Sequence, residues 1–300
     1  MIDLSGVFIP AVTPFLPETG EVDLEAMQEN LRAWSGHPVH GIVIAGTTGE
    51  AVLLDPEERL ALVRAARDIL PERILLTVGT GVESTRGTIR LTRAAADAGA
   101  DAVLVQPPAY YKGAMTAEAL REHYVAVADA SPVPVIIYQA PLRMCTLDFP
   151  TGLLAELSQH EMLVGLKDSR GKLELMGEVL DQCREGFQLL VGSGAHFYPA
   201  LEIGAVGGIV AIGNLAPGGC GALYEAFVGG RLAEAGRLQQ GLGPVHNGIV
   251  GGIGVGGVKH GMDLLGMRGG DPRPPLRPLG EKKREEVQEI LRTAGLLSVP

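Results

Sequence analysis

The chain has 300 residues, a length that fits two ordinary domains or one large barrel of alternating strands and helices. It is 46% hydrophobic but only 4% aromatic, so a large core has to be aliphatic. A net charge of −10 argues against a nucleic-acid partner, and no apolar run approaches the ~20 residues of a membrane span.

The N-terminus, "MIDLSGVFIPAVTP", lacks the basic and apolar regions of a secretory signal. Cys145, Cys183 and Cys220 are odd in number and far apart, which points to a reduced, cytoplasmic protein.

In chain order, strands are expected at 6–15, 41–47, 74–80, 102–108, 133–141, 163–169, 187–193 and 207–214. These runs are apolar on both faces and alternate with helical patterns, as parallel strands joined by crossover helices do. Asp55, Pro56, Glu57 and Glu58 form a helix start: an N-cap, a proline at the first helical position and an acidic first turn. Eight strand–helix units by residue 230 predict a closed TIM (β/α)₈ barrel. An open doubly wound sheet is the competing fold, but no strand–helix turn carries G-x-G-x-x-G. Residues 1–230 would be the barrel and 231–300 a C-terminal helical appendage packed on it. The Gly-rich stretch 248–261 misses phosphate-binding spacings and reads as close helix packing.

Barrels of this kind build their sites at the C-terminal strand ends. Polar residues there are Thr13, then Thr47, Thr48 and Glu50, then Tyr110 and Tyr111, then Tyr138 and Arg143, then Lys167 and Asp168. The seven histidines are scattered, only His37 and His40 being close, so no metal site is expected. A lysine ending an apolar strand, "VGLKDS", is either reaching solvent or held dry as a nucleophile. Tyr138 by itself fits a core tyrosine, and Thr47 and Thr48 fit a loop cap. Glu50 reads as structural, and Asp168 with Ser169 as ordering the following loop.

"GTTGE", "Y-x-x-P" and "G-x-K-D-S" occur in this order at the ends of the second, fifth and sixth strands. In this the chain resembles the dihydrodipicolinate synthase/N-acetylneuraminate lyase family of Schiff-base aldolases, over essentially its whole length. The resemblance implies that Lys167 forms an imine with pyruvate, with no cofactor, and that Tyr138 relays protons with Thr47. It also implies that Thr47 and Thr48 receive the pyruvate carboxylate and that the Ile209 carbonyl lies near the lysine. Tyr111 would enter a neighbouring subunit's site, in a homotetramer built as a dimer of dimers. Arg143 matches an arginine that holds the carboxylate of aspartate semialdehyde, so a small carboxylated aldehyde is the implied second substrate. Gln139, where the synthase branch usually has Asn, and "LRMC" at 142–145 depart from that branch. Relatives that cleave 4-hydroxy-2-oxoglutarate or 2-keto-3-deoxy sugar acids are therefore the alternative. A paralogue that binds a 2-oxo acid without turnover is a third reading, disfavoured by the intact lysine, tyrosine and threonine pair.

Overall fold

A computed structural model describes residues 2–297. Eight parallel strands close into a barrel in sequence order. They are β1 (Gly6–Pro10), β2 (Gly41–Ile44), β3 (Leu75–Gly79) and β4 (Ala102–Val105), then β5 (Val135–Gln139), β6 (Leu163–Asp168), β7 (Gln188–Val191) and β8 (Gly207–Ile209). The helices between and after the first four strands are α1 (Leu24–Ser35), α2 (Pro56–Arg67), α3 (Thr85–Asp97) and α4 (Ala117–Ala130). Then come α5 (Thr151–Leu157), α6 (Leu173–Gln182), α7 (Phe197–Glu202) and α8 (Pro217–Val228). The C-terminal region adds α9 (Leu232–Val245), α10 (Val255–Leu264) and α11 (Glu281–Thr293). Among the described residues no helix is long and apolar enough to cross a membrane.

Strand alternation sorts the core into two layers. Phe8, Val43, Leu104, Ile136, Leu190 and Ile209 fill the barrel interior. Their neighbours Ile9, Ile42, Val103, Ile137, Leu189 and Val191 pack outward against the helices. Each fully buried aliphatic side chain of this kind contributes ~1.5–3 kcal/mol. The expected helix start is present: Pro56 opens α2, and the Glu58 carboxylate accepts the Asp55 N–H at 2.9 Å.

The strands are shorter than the apolar runs that announced them. The first stops at Pro10 rather than 15, the second at Ile44 rather than 47, and the eighth at Ile209 rather than 214. After β2 the cause is backbone geometry, since Ala45 adopts φ +53° and leaves the ladder. After β8 the chain tightens into a 3₁₀ turn at Ala211–Asn214. These apolar continuations are buried loop, which hydropathy alone cannot distinguish from strand.

The C-terminal helices share the barrel's outer core through Val245, Ile249, Val258, Met262, Val287 and Leu291. Helix α9 carries Pro244 and runs directly into a π-helical segment, His246–Ile253. The glycines of this stretch do permit close packing, because a β-carbon at Gly248 would meet Ile290 and one at Gly261 would meet Leu215.

Candidate active site

Lys167 and Tyr138 are cross-strand partners at the C-terminal ends of β6 and β5. Since Leu166 packs outward, alternation turns Lys167 inward, and Tyr138 belongs to the interior layer. The Lys167 ammonium position is 4.3 Å from the centroid of the Tyr138 ring, and the lysine is only 4% exposed. Burial lowers the Lys167 pKa below the ordinary 10.5, and Tyr138 opposes part of that shift. On its other side Tyr138 Oη lies 3.2 Å from Thr47 Oγ1.

Thr47 and Thr48 sit on a loop bracketed by two non-glycine residues in the left-handed region, Ala45 at φ +53° and Glu50 at φ +57°. Such conformations are strained and persist only where the surroundings over-determine them. Here Thr13 Oγ1 donates to the Gly49 carbonyl at 2.7 Å. The Glu50 carboxylate pairs with Lys259 of α10 at 2.7 Å and accepts the Arg273 N–H at 2.8 Å. Glu50 and Lys259 are both buried, so the structural reading of Glu50 holds and extends to a partner 209 residues away. Gly79 makes room for the bend, because any β-carbon there would strike the Ala45 carbonyl.

A cavity of about 460 Å³ opens above these residues, lined by Thr47, Thr48, Tyr138, Lys167 and Ile209 among others. Arg143 is also on its wall. Its guanidinium donates to the carbonyls of Gly251 and of Val250 (3.5 Å), at the end of the π-helical segment where carbonyls lack intrahelical partners. Gln139, the departure at the Tyr138–Gln139 pair, points away from the cavity. Its amide donates to the carbonyls of Ala140 (2.9 Å) and Leu147 (3.0 Å) and accepts the Phe149 N–H at 2.8 Å. The residue thus pins the loop that carries Arg143. Asp168 likewise turns outward and binds Arg170, which also reaches Asp148 at 2.8 Å, so this pair orders the loop after β6.

Tyr111 is 73% exposed and lies outside the cavity, edge-to-face with Tyr110 at 5.2 Å between centroids. The Glu83 carboxylate holds their loop by accepting the N–H groups of Ala109 and Tyr110. Strand-end reasoning stopped at β6 and so missed Ser193 and His196, which follow β7 and line the same cavity. The same rule applied to "LLVGSGAH" would have found both. His246 also lines the cavity but belongs to the C-terminal region, where no strand end announces it.

The closed parallel barrel, with a dry lysine beside a hydrogen-bonded phenol at its C-terminal rim, is that of a class I aldolase/lyase. A family model described as the dihydrodipicolinate synthetase family matches residues 3–294. The chain belongs to that family. It is 33% identical over 97% of its length to a 4-hydroxy-tetrahydrodipicolinate synthase of Methanoculleus marisnigri, covering 99% of that protein. It is also 37% identical over 78% of its length to a probable mitochondrial 4-hydroxy-2-oxoglutarate aldolase of Emericella nidulans, covering 77% of that one. A crystal structure of the dihydrodipicolinate synthase of Acinetobacter baumannii complexed with pyruvate superposes with a TM-score of 0.93. The two chains are 29% identical, with 98% of this chain and 100% of that one covered.

Proposed function

We propose that this chain is a pyruvate-dependent Schiff-base aldolase, acting as a 4-hydroxy-tetrahydrodipicolinate synthase on pyruvate and aspartate semialdehyde. The observation that carries the reading is the desolvated Lys167 beside the Tyr138–Thr47 hydroxyl pair.

In this reading the uncharged Lys167 amine attacks the keto carbon of pyruvate, and Tyr138 supplies the proton on which water leaves. The imine loses a methyl proton to the Tyr138 phenolate left by that step and becomes an enamine, whose carbon bonds to the aldehyde carbon while the aldehyde oxygen takes the proton back from Tyr138. The semialdehyde's own amine then displaces Lys167 and closes the ring. One water is released overall. A phenol suits this relay because it carries no charge that would compete for the imine, and such proton transfer contributes ~10²–10⁴-fold. Thr47 and Thr48, with their loop N–H groups, receive the pyruvate carboxylate, and the Ile209 carbonyl faces the lysine. Arg143 offers its remaining N–H groups to the carboxylate of the aldehyde partner.

Tyr111 reaches a neighbouring subunit's site in a homotetramer, a reading supported by its exposure edge-to-face with the similarly exposed Tyr110. Three unpaired cysteines support a reducing, cytoplasmic setting.

A second reading, cleavage of 4-hydroxy-2-oxoglutarate, draws on the Emericella relative and on the engagement of Arg143 by backbone carbonyls. Pyruvate consumption by the purified protein, with and without aspartate semialdehyde, separates the two. Semialdehyde-dependent consumption supports the synthase. Its absence, with release of pyruvate from 4-hydroxy-2-oxoglutarate, supports the aldolase.

A further inference from the structure

Arg59 is a buried charge that the imine chemistry leaves unused. It lies at the end of the first turn of α2, where the helix dipole disfavours a cation, and it is only 5% exposed. Among the described residues no carboxylate pairs with it. Its neighbour Glu58 is taken by Arg273, and Glu50 by Lys259. Burial lowers its pKa from the ordinary value, with no acid nearby to offset the loss of water. A buried, uncancelled guanidinium is costly, and methionine would fill similar space without that penalty.

The fork of this side chain reaches two carbonyls. Nη2 donates to that of Ala51 at 2.5 Å and Nη1 to that of Gly79 at 3.3 Å, while Nε is enclosed without a partner. These carbonyls are the two footings of the loop that carries Thr47 and Thr48. Ala51 closes the loop by donating its N–H to the Gly46 carbonyl at 3.2 Å. Gly79 lies under the Ala45 bend, so close that a β-carbon would strike the Ala45 carbonyl. Both residues border one small void with Thr47 and Tyr138, about 10 Å³ in volume, roughly the room of one water. Only this backbone and this void lie between the guanidinium and the threonine–tyrosine pair.

The other clamps on the loop act elsewhere. Thr13 holds Gly49, and Lys259 holds Glu50. Arg59 alone of these side chains ties the loop to β3.

We propose, resting on the lysine–pyruvate reading above, that Arg59 is a positioning residue for the first substrate: by gripping Ala51 and Gly79 it fixes Thr47 and Thr48 to receive the pyruvate carboxylate. The buried cation thereby has a use, because the left-handed residues Ala45 and Glu50 persist only under such constraint. Lysine is a poor replacement, since a single ammonium lacks the planar fork that fixes both carbonyls at once. The uncancelled charge adds to the effect. In a site closed to water it attracts a carboxylate and is nearly indifferent to a neutral ketone.

The test compares two ketones that differ in charge at one end. Protein is incubated with pyruvate or with its methyl ester over a range of concentrations, reduced with borohydride and digested. The adduct on Lys167 is then quantified by mass spectrometry. In Arg59→Met the pyruvate concentration giving half-maximal labelling should rise roughly tenfold, while that of the ester stays near wild type. Arg59→Lys, which keeps the charge and loses the fork, should show a smaller rise of the same kind and serves if Arg59→Met does not fold. A wild-type protein without a pyruvate adduct overturns the imine reading and this inference with it. A wild-type adduct whose preference for pyruvate over the ester is unmoved in the variants, whether labelling is unchanged or falls in parallel, overturns the inference alone.

Discussion

Thr47 and Tyr138 meet hydroxyl to hydroxyl, 3.2 Å apart, across 91 residues of sequence. The contact joins the strained loop after β2 to the end of β5, and through the Tyr138 ring it reaches Lys167. A single hydroxyl on Tyr138 could serve as a core hydrogen bond. A hydroxyl placed between a threonine and a desolvated amine can pass a proton. In the proposed reaction Tyr138→Phe lowers kcat by ~10²–10⁴-fold, while Thr47→Val lowers it about tenfold by unsettling the phenol and also raises KM for pyruvate by removing a carboxylate contact. Steady-state kinetics on both variants would show this order, and equal losses would make the Thr47 hydroxyl as necessary to the proton transfer as Tyr138 itself.

The buried pair Lys259–Glu50 ties the C-terminal region to the loop carrying Thr47 and Thr48. Breaking a buried pair by removing one partner strands the other charge, at a cost of ~3–5 kcal/mol. Lys259→Met should therefore unfold at markedly lower denaturant concentration than wild type, and should raise KM for pyruvate as the loop loosens. The double change Lys259→Met with Glu50→Gln should recover part of the stability. Equilibrium denaturation of the three proteins checks both statements.

Gln139 makes three hydrogen bonds that hold residues 140–149. Gln139→Ala leaves the Leu147 carbonyl and the Phe149 N–H unpaired in a buried setting, each worth ~1–3 kcal/mol. The expected outcome is lower stability together with a higher KM for the aldehyde partner, because Arg143 rides on that loop. Gln139→Asn, one methylene shorter, should show a smaller effect in the same direction.

Acid should weaken the fold through two histidines. Burial pushes His123 and His246 each down to about 4, from an ordinary value of 6.5. Between those values the unfolded chain binds protons that the folded chain refuses, so stability falls as pH drops from 6.5 toward 4. Replacing His246 with Phe should flatten the melting temperature over that range and leave its value at pH 8 comparatively little changed. Thermal melts at pH 4.5, 6 and 8 measure the slope directly.

How far these features are legible in the sequence depends on what each obeys. The barrel is legible because eight doubly apolar strands alternate with helices, and Lys167 is legible because an ammonium interrupts one of them. Asp168 reads as a loop-ordering residue and is found binding Arg170, whereas Gln139 reads only as a departure from the synthase branch and its role in the loop is not legible. Alternation along β5 and β6 sends them to the opposite face, a fact that needs the register and not only the strand. The partners of Glu50 and Arg143 come from residues 250–273, where glycine-rich, weakly patterned chain gives no periodic signal. The role of that region as the back wall of the cavity emerges only when α9 and the π-helical segment pack against the barrel rim. Strand ends failed as markers where apolar loops continue the run, as after Ile209.

Reductive trapping tests the central claim most directly. Purified protein is treated with pyruvate and borohydride, digested, and the modified peptide identified by mass spectrometry. One reduced pyruvate per chain, carried by Lys167 and formed faster as pH rises through a lysine pKa below 10.5, is the predicted result. An unchanged protein mass, or an adduct on a lysine other than Lys167, would contradict it.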